Sequence, residues 1–181
     1  LATLASAAML IWFGKLIDKI DLRIYTLIIS LGLSLGCIGM FFLNKNLFLL
    51  FFIIVSLRFF GQGAMTHTSV TTMSRYYGED RGKAISIGEF GGMFGFITFP
   101  LIVVLLIKIF TWKFVWLFAG ISIPLIFIPM SLYLLRDQGI RHKEFINKID
   151  IFSLQKNWRR RDVIVDKKFY VYLPISLVPP F

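Results

Sequence analysis

One apolar stretch, Leu47 to Met73, carries the polar side chains that are best placed to do chemistry. Arg58 lies near its centre, and Gln62, Met65 and Ser69 follow at spacings of three or four residues. Such spacing places side chains on one face of a helix. A charge at the centre of a bilayer costs about 3 kcal/mol or more, so it normally faces the protein interior or a wet cavity. The pattern predicts that Arg58, Gln62 and Ser69 lie along a solvated path.

Two roles are consistent with this position of Arg58. As a counter-charge, Arg58 would bind an anionic solute or tune a carboxyl group that carries protons. As a structural residue, it would donate hydrogen bonds to backbone carbonyl groups of a neighbouring helix. A helical rise of about 1.5 Å per residue places Arg58 roughly 16 Å from Leu47 and roughly 24 Å from Ser74. Either role therefore places the charge deep in the membrane, and the sequence leaves both open.

Two further ionisable residues, His67 and Glu89, lie at similar depths near the inner ends of their apolar stretches. His67 follows Arg58 by nine residues, about 180° round the helix, and so belongs to the opposite face. The depths of His67 and Glu89 are roughly 10 Å and 8 Å. This common depth predicts a pair that would hide a charge and pass protons. The alternative is a histidine packed between helices and a glutamate that reaches the membrane surface.

The elements that must hold these residues are membrane-spanning helices. Of the 181 residues, 57% are hydrophobic, and the mean hydropathy is +0.76. Repeated apolar runs of about 20 residues are typical of membrane spans, and a soluble domain of this size could not bury so much apolar surface. Spans are predicted at residues 1–13, 24–43, 47–73, 84–107 and 114–135, with a sixth starting at 169.

The positive charges indicate how the spans are oriented. Of the 20 lysines and arginines, 16 lie in connections on one side of the membrane and three in connections on the other. The richer side is predicted to be cytoplasmic. Because the charges lie between apolar runs, the net charge of +10 indicates a bilayer as the partner and no nucleic acid.

Catalytic chemistry and bound metals are not predicted. The chain has two histidines, His67 and His142, no H-E-x-x-H motif and no paired aspartates within the spans. A membrane enzyme would need a nucleophile with a base, or metal ligands at workable spacing. Cys37, the only cysteine, lies in an apolar run and is predicted to be buried and inert. No enzyme activity and no cofactor are therefore expected.

The 84–107 span contains four glycines in two overlapping G-x-x-x-G spacings, Gly88 with Gly92 and Gly91 with Gly95. Small residues at this spacing allow two helix backbones to approach closely. The spacing predicts close helix packing along this span, either as ordinary packing or as a sliding contact between moving halves.

The connection after the first span resembles a motif of the major facilitator superfamily. The family pattern between its second and third helices is G-x-L-x-D-[RK]-x-G-[RK]-[RK], and it is matched by Gly14, Leu16, Asp18, Lys19 and Arg23. The sequence departs from that pattern at Asp21 and Leu22. Asp21 is instead predicted to be the N-cap of the following helix, with its carboxylate at the positive helix end.

Three further segments resemble the same family, in the family's order. The segment Leu57 to Gly63, LRFFGQG, is similar to the arginine-containing fourth helix, and Trp112 to Trp116 is similar to the start of the sixth. The loop RYY with RGKA, starting at Arg75, is similar to the loop before the fifth helix in bacterial members of the monocarboxylate and oxalate/formate type. The tail from Trp158 resembles the link into the seventh helix.

The resemblance implies an all-α polytopic membrane protein, an incomplete N-terminal half-bundle of the superfamily. Residues 1–135 would hold helices 2 to 6, residues 136–168 the cytoplasmic linker between halves, and residues 169–181 the start of helix 7. Helix 1 and the C-terminal half would belong to the same protein outside this chain. The loop residues Gly14, Asp18, Lys19 and Arg23 would form a latch that holds one conformation; the alternative for Asp18 is a solvated charge at the membrane surface.

The function that the resemblance implies is secondary transport of small organic solutes, with anions of the monocarboxylate kind favoured. Transport would proceed by alternating access, as symport or antiport, in the inner (plasma) membrane. The candidates for contact with solute or protons are Arg58, Gln62, Ser69, His67 and Glu89. The alternative is a receptor or scaffold that has the same fold and does not transport.

Overall fold

A computed structural model describes residues 2–14, 17, 20–136, 139, 165 and 170. The chain divides into two compact units, Leu1–Lys143 and Glu144–Phe181, and the helices below belong to the first. The described residues form helices and no strand, which confirms the predicted all-α fold. Four of these helical stretches are long and apolar enough to cross a membrane: Leu22–Phe41, Leu47–Ser74, Arg81–Ile109 and Trp112–Leu134.

Helix α1 (Ala2–Phe13) is followed by helix α2 (Leu22–Phe41), and the start of α2 is marked by an N-cap residue. Asp21 is the N-cap of α2, and its Oδ1 accepts a 2.9 Å hydrogen bond from the backbone N–H of Arg23. The carboxylate satisfies a free amide at the positive helix end, as predicted. Tyr25 holds the two helices together, because its hydroxyl group donates a 3.4 Å hydrogen bond to the carbonyl oxygen of Phe13.

The third apolar stretch is one helix whose hydrogen-bonding pattern changes midway. Helix α3 (Leu47–Leu57) runs into a π-helical segment, π1 (Arg58–Met65), which continues as helix α4 (Thr66–Tyr76). A π turn bonds residue i to i+5 and is rare as more than a single turn. Gly61 and Gly63 lie within π1, and glycine weakens the preference for regular α-helix. The sequence pattern did not predict this change.

The fourth stretch, helix α5 (Arg81–Ile109), follows a short 3₁₀ turn at Gly78–Asp80. Gly78 has a φ of +48°, a conformation that glycine adopts without strain. Within the described part of the chain, no residue of α5 is buried. Among the described residues, the close packing predicted for its glycines is found only at Gly88, where a Cβ would lie 2.6 Å from Met73 Cε. Outside their own helix backbone, no described atom lies within 4 Å of the Cβ positions of Gly91, Gly92 and Gly95.

The fifth stretch also contains a π segment. Helix α6 (Trp112–Ser122) is followed by π2 (Ile123–Phe127) and helix α7 (Ile128–Leu134). Pro124 lies in π2 and has no backbone N–H to donate to the preceding turn. This missing donor explains why the α-helical pattern is interrupted there.

Helix α2 lies at the centre of the described bundle and packs against α3, π1 and α6. Its Tyr25 and Ile29 are fully buried. At the α6 contact, Ser34 Oγ donates a 2.7 Å hydrogen bond to the carbonyl oxygen of Gly120. A Cβ at Gly120 would lie 2.7 Å from Ile38 Cγ1. The two backbones therefore approach closely because position 120 has no side chain.

Candidate functional site

The π1 segment is held in place by aromatic packing on one side. Phe59 is buried, and its ring centroid lies 5.1 Å from that of Phe13 in an edge-to-face arrangement. The neighbouring Phe60 ring lies against Gly32, where a Cβ would come within 2.5 Å of the ring. These contacts fix two consecutive residues of π1 against α1 and α2. The other side of the segment is left open for polar side chains.

That open side carries four exposed polar residues, Arg58, Gln62, Thr66 and Ser69, which we call the polar face. Three of them are predicted site residues; all three are exposed in the structure, and Arg58 and Gln62 are in contact. Thr66 is an addition that sequence reasoning missed, because Met65 fits regular α-helical spacing better. In the structure Met65 is half-buried, and Thr66 is exposed in its place.

Arg58 and Gln62 form a pair on the polar face. Arg58 Nη1 donates a 2.5 Å hydrogen bond to Gln62 Oε1. Over the described part of the chain, no carboxylate lies within ion-pair distance of Arg58, since the ion pair found there joins Lys83 to Asp80. Arg58 also donates no hydrogen bond to a backbone carbonyl of a described neighbouring helix. Among the described residues, the guanidinium group is therefore oriented by an uncharged amide, and its other N–H groups have no protein partner.

His67 lies off the polar face, at the end of α1. A Cβ at Gly14 would lie 3.6 Å from both Cε1 and Nε2 of the His67 ring. Its Nδ1 is buried and has no hydrogen-bond partner among the described residues. A buried polar atom without a partner is costly, and among the described residues this nitrogen is the buried side-chain polar atom in that state.

Glu89 lies on α5 with an exposed side chain. It makes no ion pair or hydrogen bond with His67. The predicted His67–Glu89 pair is therefore not formed in the structure. Equal depth placed the two residues at one level of the membrane, but depth does not fix the direction in which a side chain points. His67 lies on α4, which α5 contacts, but its ring faces Gly14 at the end of α1.

The predicted latch loop is described in part. Gly14 lies beside the His67 ring, and Arg23 Nε donates a 2.7 Å hydrogen bond to the carbonyl oxygen of Leu135, at the end of α7. Lys15, Leu16, Asp18 and Lys19 lie outside the described residues. Arg23 thus connects the start of α2 to the end of α7, a contact between residues 112 positions apart that spacing alone did not indicate.

Comparison with known proteins gives one match. The sequence profile described as Major Facilitator Superfamily matches residues 1–178. No curated protein matches the chain, and no solved structure matches it. The profile covers the described helices together with nearly all of the remaining sequence, and it agrees with four helical stretches of membrane-spanning length.

Proposed function

The chain belongs to the major facilitator superfamily of membrane transporters, and from that premise we propose that it carries small organic anions by alternating access. The observation that supports this proposal is the state of Arg58. It is exposed near the middle of a 28-residue apolar span, and its Nη1 is bonded to an uncharged amide. An intramembrane charge without a counter-ion favours a ligand of opposite charge.

The polar face supplies what such a solute needs besides charge. Arg58 would bind the carboxylate through two N–H groups, the geometry that guanidinium groups favour. Gln62 keeps its amide NH₂ group as an additional donor, since its Oε1 is used by Arg58. The hydroxyl groups of Thr66 and Ser69 continue the polar face toward the inner end. Monocarboxylates are the solutes we favour, on the resemblance of the loop that starts at Arg75.

The complete transporter would contain parts that this chain does not. We propose that residues 1–135 form helices 2 to 6, with residues 136–168 as the cytoplasmic linker and residues 169–181 as the start of helix 7. Apart from Arg136, Gly139, Val165 and Tyr170, the last two segments lie outside the described residues. A first helix and a second six-helix half would complete the protein in the inner (plasma) membrane, and two halves would rock about a central site.

The proposal is tested by solute uptake with the purified full-length protein in liposomes. Labelled short-chain monocarboxylates, with and without a proton gradient, are compared for the parent, Arg58→Ala and Arg58→Lys. We expect Arg58→Ala to abolish uptake. Arg58→Lys should retain a small part of it, since lysine keeps the positive charge but lacks the paired N–H groups of a guanidinium. Lys45→Ala, in the exposed turn before α3, is the matched control and should transport normally.

Two outcomes would contradict the proposal. Normal uptake by an Arg58→Ala protein that elutes as a single species and melts at the parent temperature would show that the charge is structural. Absence of uptake by the parent, with saturable binding of the same acids, would indicate a receptor of the same fold.

A further inference from the structure

A pocket of about 470 Å³ lies between the inner ends of α2, α4 and α7, apart from the Arg58–Gln62 pair. Its apolar walls include Met65, Met73, Phe127 and Leu134. The volume is within the range of small-molecule sites, which are mostly apolar with a few polar groups. Among the described residues that line it, none is an aspartate, glutamate, lysine, arginine or histidine. An ion would therefore find no counter-charge in its walls.

The hydroxyl groups in the pocket fall into two classes. Thr26 Oγ1 donates to the carbonyl oxygen of Leu22 at 2.7 Å, and Thr68 Oγ1 donates to that of Ala64 at 2.6 Å. These two hydroxyl groups have used their donors within their own helices. Thr72 also lines the pocket, together with Ser69, Tyr76 and Tyr77. Among the described residues, the Thr72 hydroxyl has no protein partner, so it is available to a ligand.

Both π segments end at this pocket. Met65 is the last residue of π1 and Phe127 is the last residue of π2, and both line the cavity. π segments that interrupt α-helices are frequent at functional sites. The hydrogen bond from Arg23 to Leu135 lies at the rim, since Leu22 and Leu135 are also lining residues. The pocket therefore lies where π1 and π2 end, and the hydrogen bond from Arg23 to Leu135 links two of the helices that form it.

We propose that this pocket binds an uncharged amphiphile, with an apolar body against Met65, Phe127 and Leu134 and one hydroxyl or carbonyl group hydrogen-bonded to Thr72. This ligand site is separate from the anion site proposed at Arg58. It shares Ser69 with the polar face but does not depend on that function, because Arg58 and Gln62 are not among its described lining residues and Thr72 is not part of the polar face.

The experiment uses full-length protein in lipid nanodiscs and two fluorescent probes of equal ring size, 1-naphthol and 1-naphthoate. Signal from empty nanodiscs is subtracted, and saturable binding is compared for the parent and three variants. Thr72→Val removes the hydroxyl group at constant shape, and Thr72→Phe fills the cavity. Ser86→Ala is the matched control, because Ser86 Oγ donates to the carbonyl oxygen of Gly82 on exposed α5.

The expected result is saturable binding of 1-naphthol that weakens about 5-fold in Thr72→Val, the effect of one lost hydrogen bond. Thr72→Phe should abolish the binding and Ser86→Ala should not change it. Any binding of 1-naphthoate should depend on Arg58 and not on Thr72.

The proposal is overturned if 1-naphthol shows no saturable binding, or binds the Thr72→Val and Ser86→Ala proteins alike. It is also overturned if Thr72→Val weakens 1-naphthoate as much as 1-naphthol, because the pocket would then accept anions. Since Thr72→Val keeps the shape of the side chain, these outcomes can be interpreted from the Thr72→Val protein even if Thr72→Phe fails to fold. Loss of anion uptake in Arg58→Ala, with unchanged 1-naphthol binding, separates this site from the proposed transport function.

Discussion

Arg23 and Leu135 are joined by a 2.7 Å hydrogen bond from the guanidinium Nε to a backbone carbonyl oxygen. Leu135 directly follows α7, so its carbonyl belongs to the group that a helix end leaves without intrahelical partners. A cation at this end also faces the negative pole of the helix dipole. One side chain at the start of α2 therefore stabilises the end of the last helix of the described bundle.

Arg23→Ala is expected to loosen that end. Loss of a charge-assisted hydrogen bond at a half-buried position should lower stability by about 1 to 2 kcal/mol. Hydrogen exchange of the full-length protein should accelerate at the last amides of α7, including Leu135, which donates to Ser131. Lys113→Ala, beside Trp112 at the start of α6, is the control for loss of a positive charge. Equal exchange rates in the Arg23→Ala and parent proteins would show that the bond contributes nothing.

Gly120 lies directly against the backbone of α2, so its substitution by valine should be severe. A Cβ there would lie 2.7 Å from Ile38 Cγ1 and 3.1 Å from the backbone nitrogen of Ile38. A flexible side chain could move away, but a backbone nitrogen cannot move without displacing α2. We expect a loss of about 3 kcal/mol and little folded protein on size-exclusion chromatography.

Gly91→Val is the matched control for that prediction. Gly91 is also a helical glycine in a membrane span, but no atom lies within 4 Å of its Cβ position among the described residues. Because the described bundle offers no clash at this position, the Gly91→Val protein should fold as well as the parent. If Gly120→Val melts at the parent temperature, the close α2–α6 approach is wrong.

The features of this protein that depend on local rules are predictable from its sequence. Asp21 was predicted as an N-cap because a carboxylate before a helix satisfies its first amides, and the helix ends agree with the apolar runs. Features that depend on tertiary packing were missed. The bond from Arg23 to Leu135 joins distant residues, π1 changes the register that placed Met65 on the polar face, and the His67 ring faces Gly14 instead of Glu89.

Glu89 is proposed to couple transport to protons on its own, without His67. It is an exposed carboxylate in an apolar helix, and intramembrane carboxylates commonly mark proton pathways. Glu89→Gln should make solute uptake into liposomes insensitive to an imposed pH gradient. Exchange of solute across the membrane in the absence of a pH gradient should continue. Asp80→Asn, in the exposed pair with Lys83, is the control and should keep the gradient response.

The role of His67 is tested with the same assay. Because its buried Nδ1 has no partner among the described residues, His67→Phe removes an unsatisfied group and should not reduce stability. If His67→Phe abolishes the dependence of uptake on the pH gradient and Glu89→Gln does not, the residue that couples transport to protons is His67, and the proposal for Glu89 is wrong.

Gln62 separates the two roles of Arg58 most sharply. If Arg58 binds solute, Gln62→Glu should abolish anion uptake, because a carboxylate at the same distance neutralises the guanidinium group and occupies its donors. Gln62→Ala should be milder, with KM raised roughly 10-fold, because the arginine loses its orienting partner but keeps its charge. If Arg58 is structural, the order is reversed, since an added ion pair is tolerated and the lost partner is not. Uptake kinetics of the two variants, measured beside their melting temperatures, distinguish these cases. Transport by Gln62→Glu at the parent rate would exclude Arg58 as the anion-binding group.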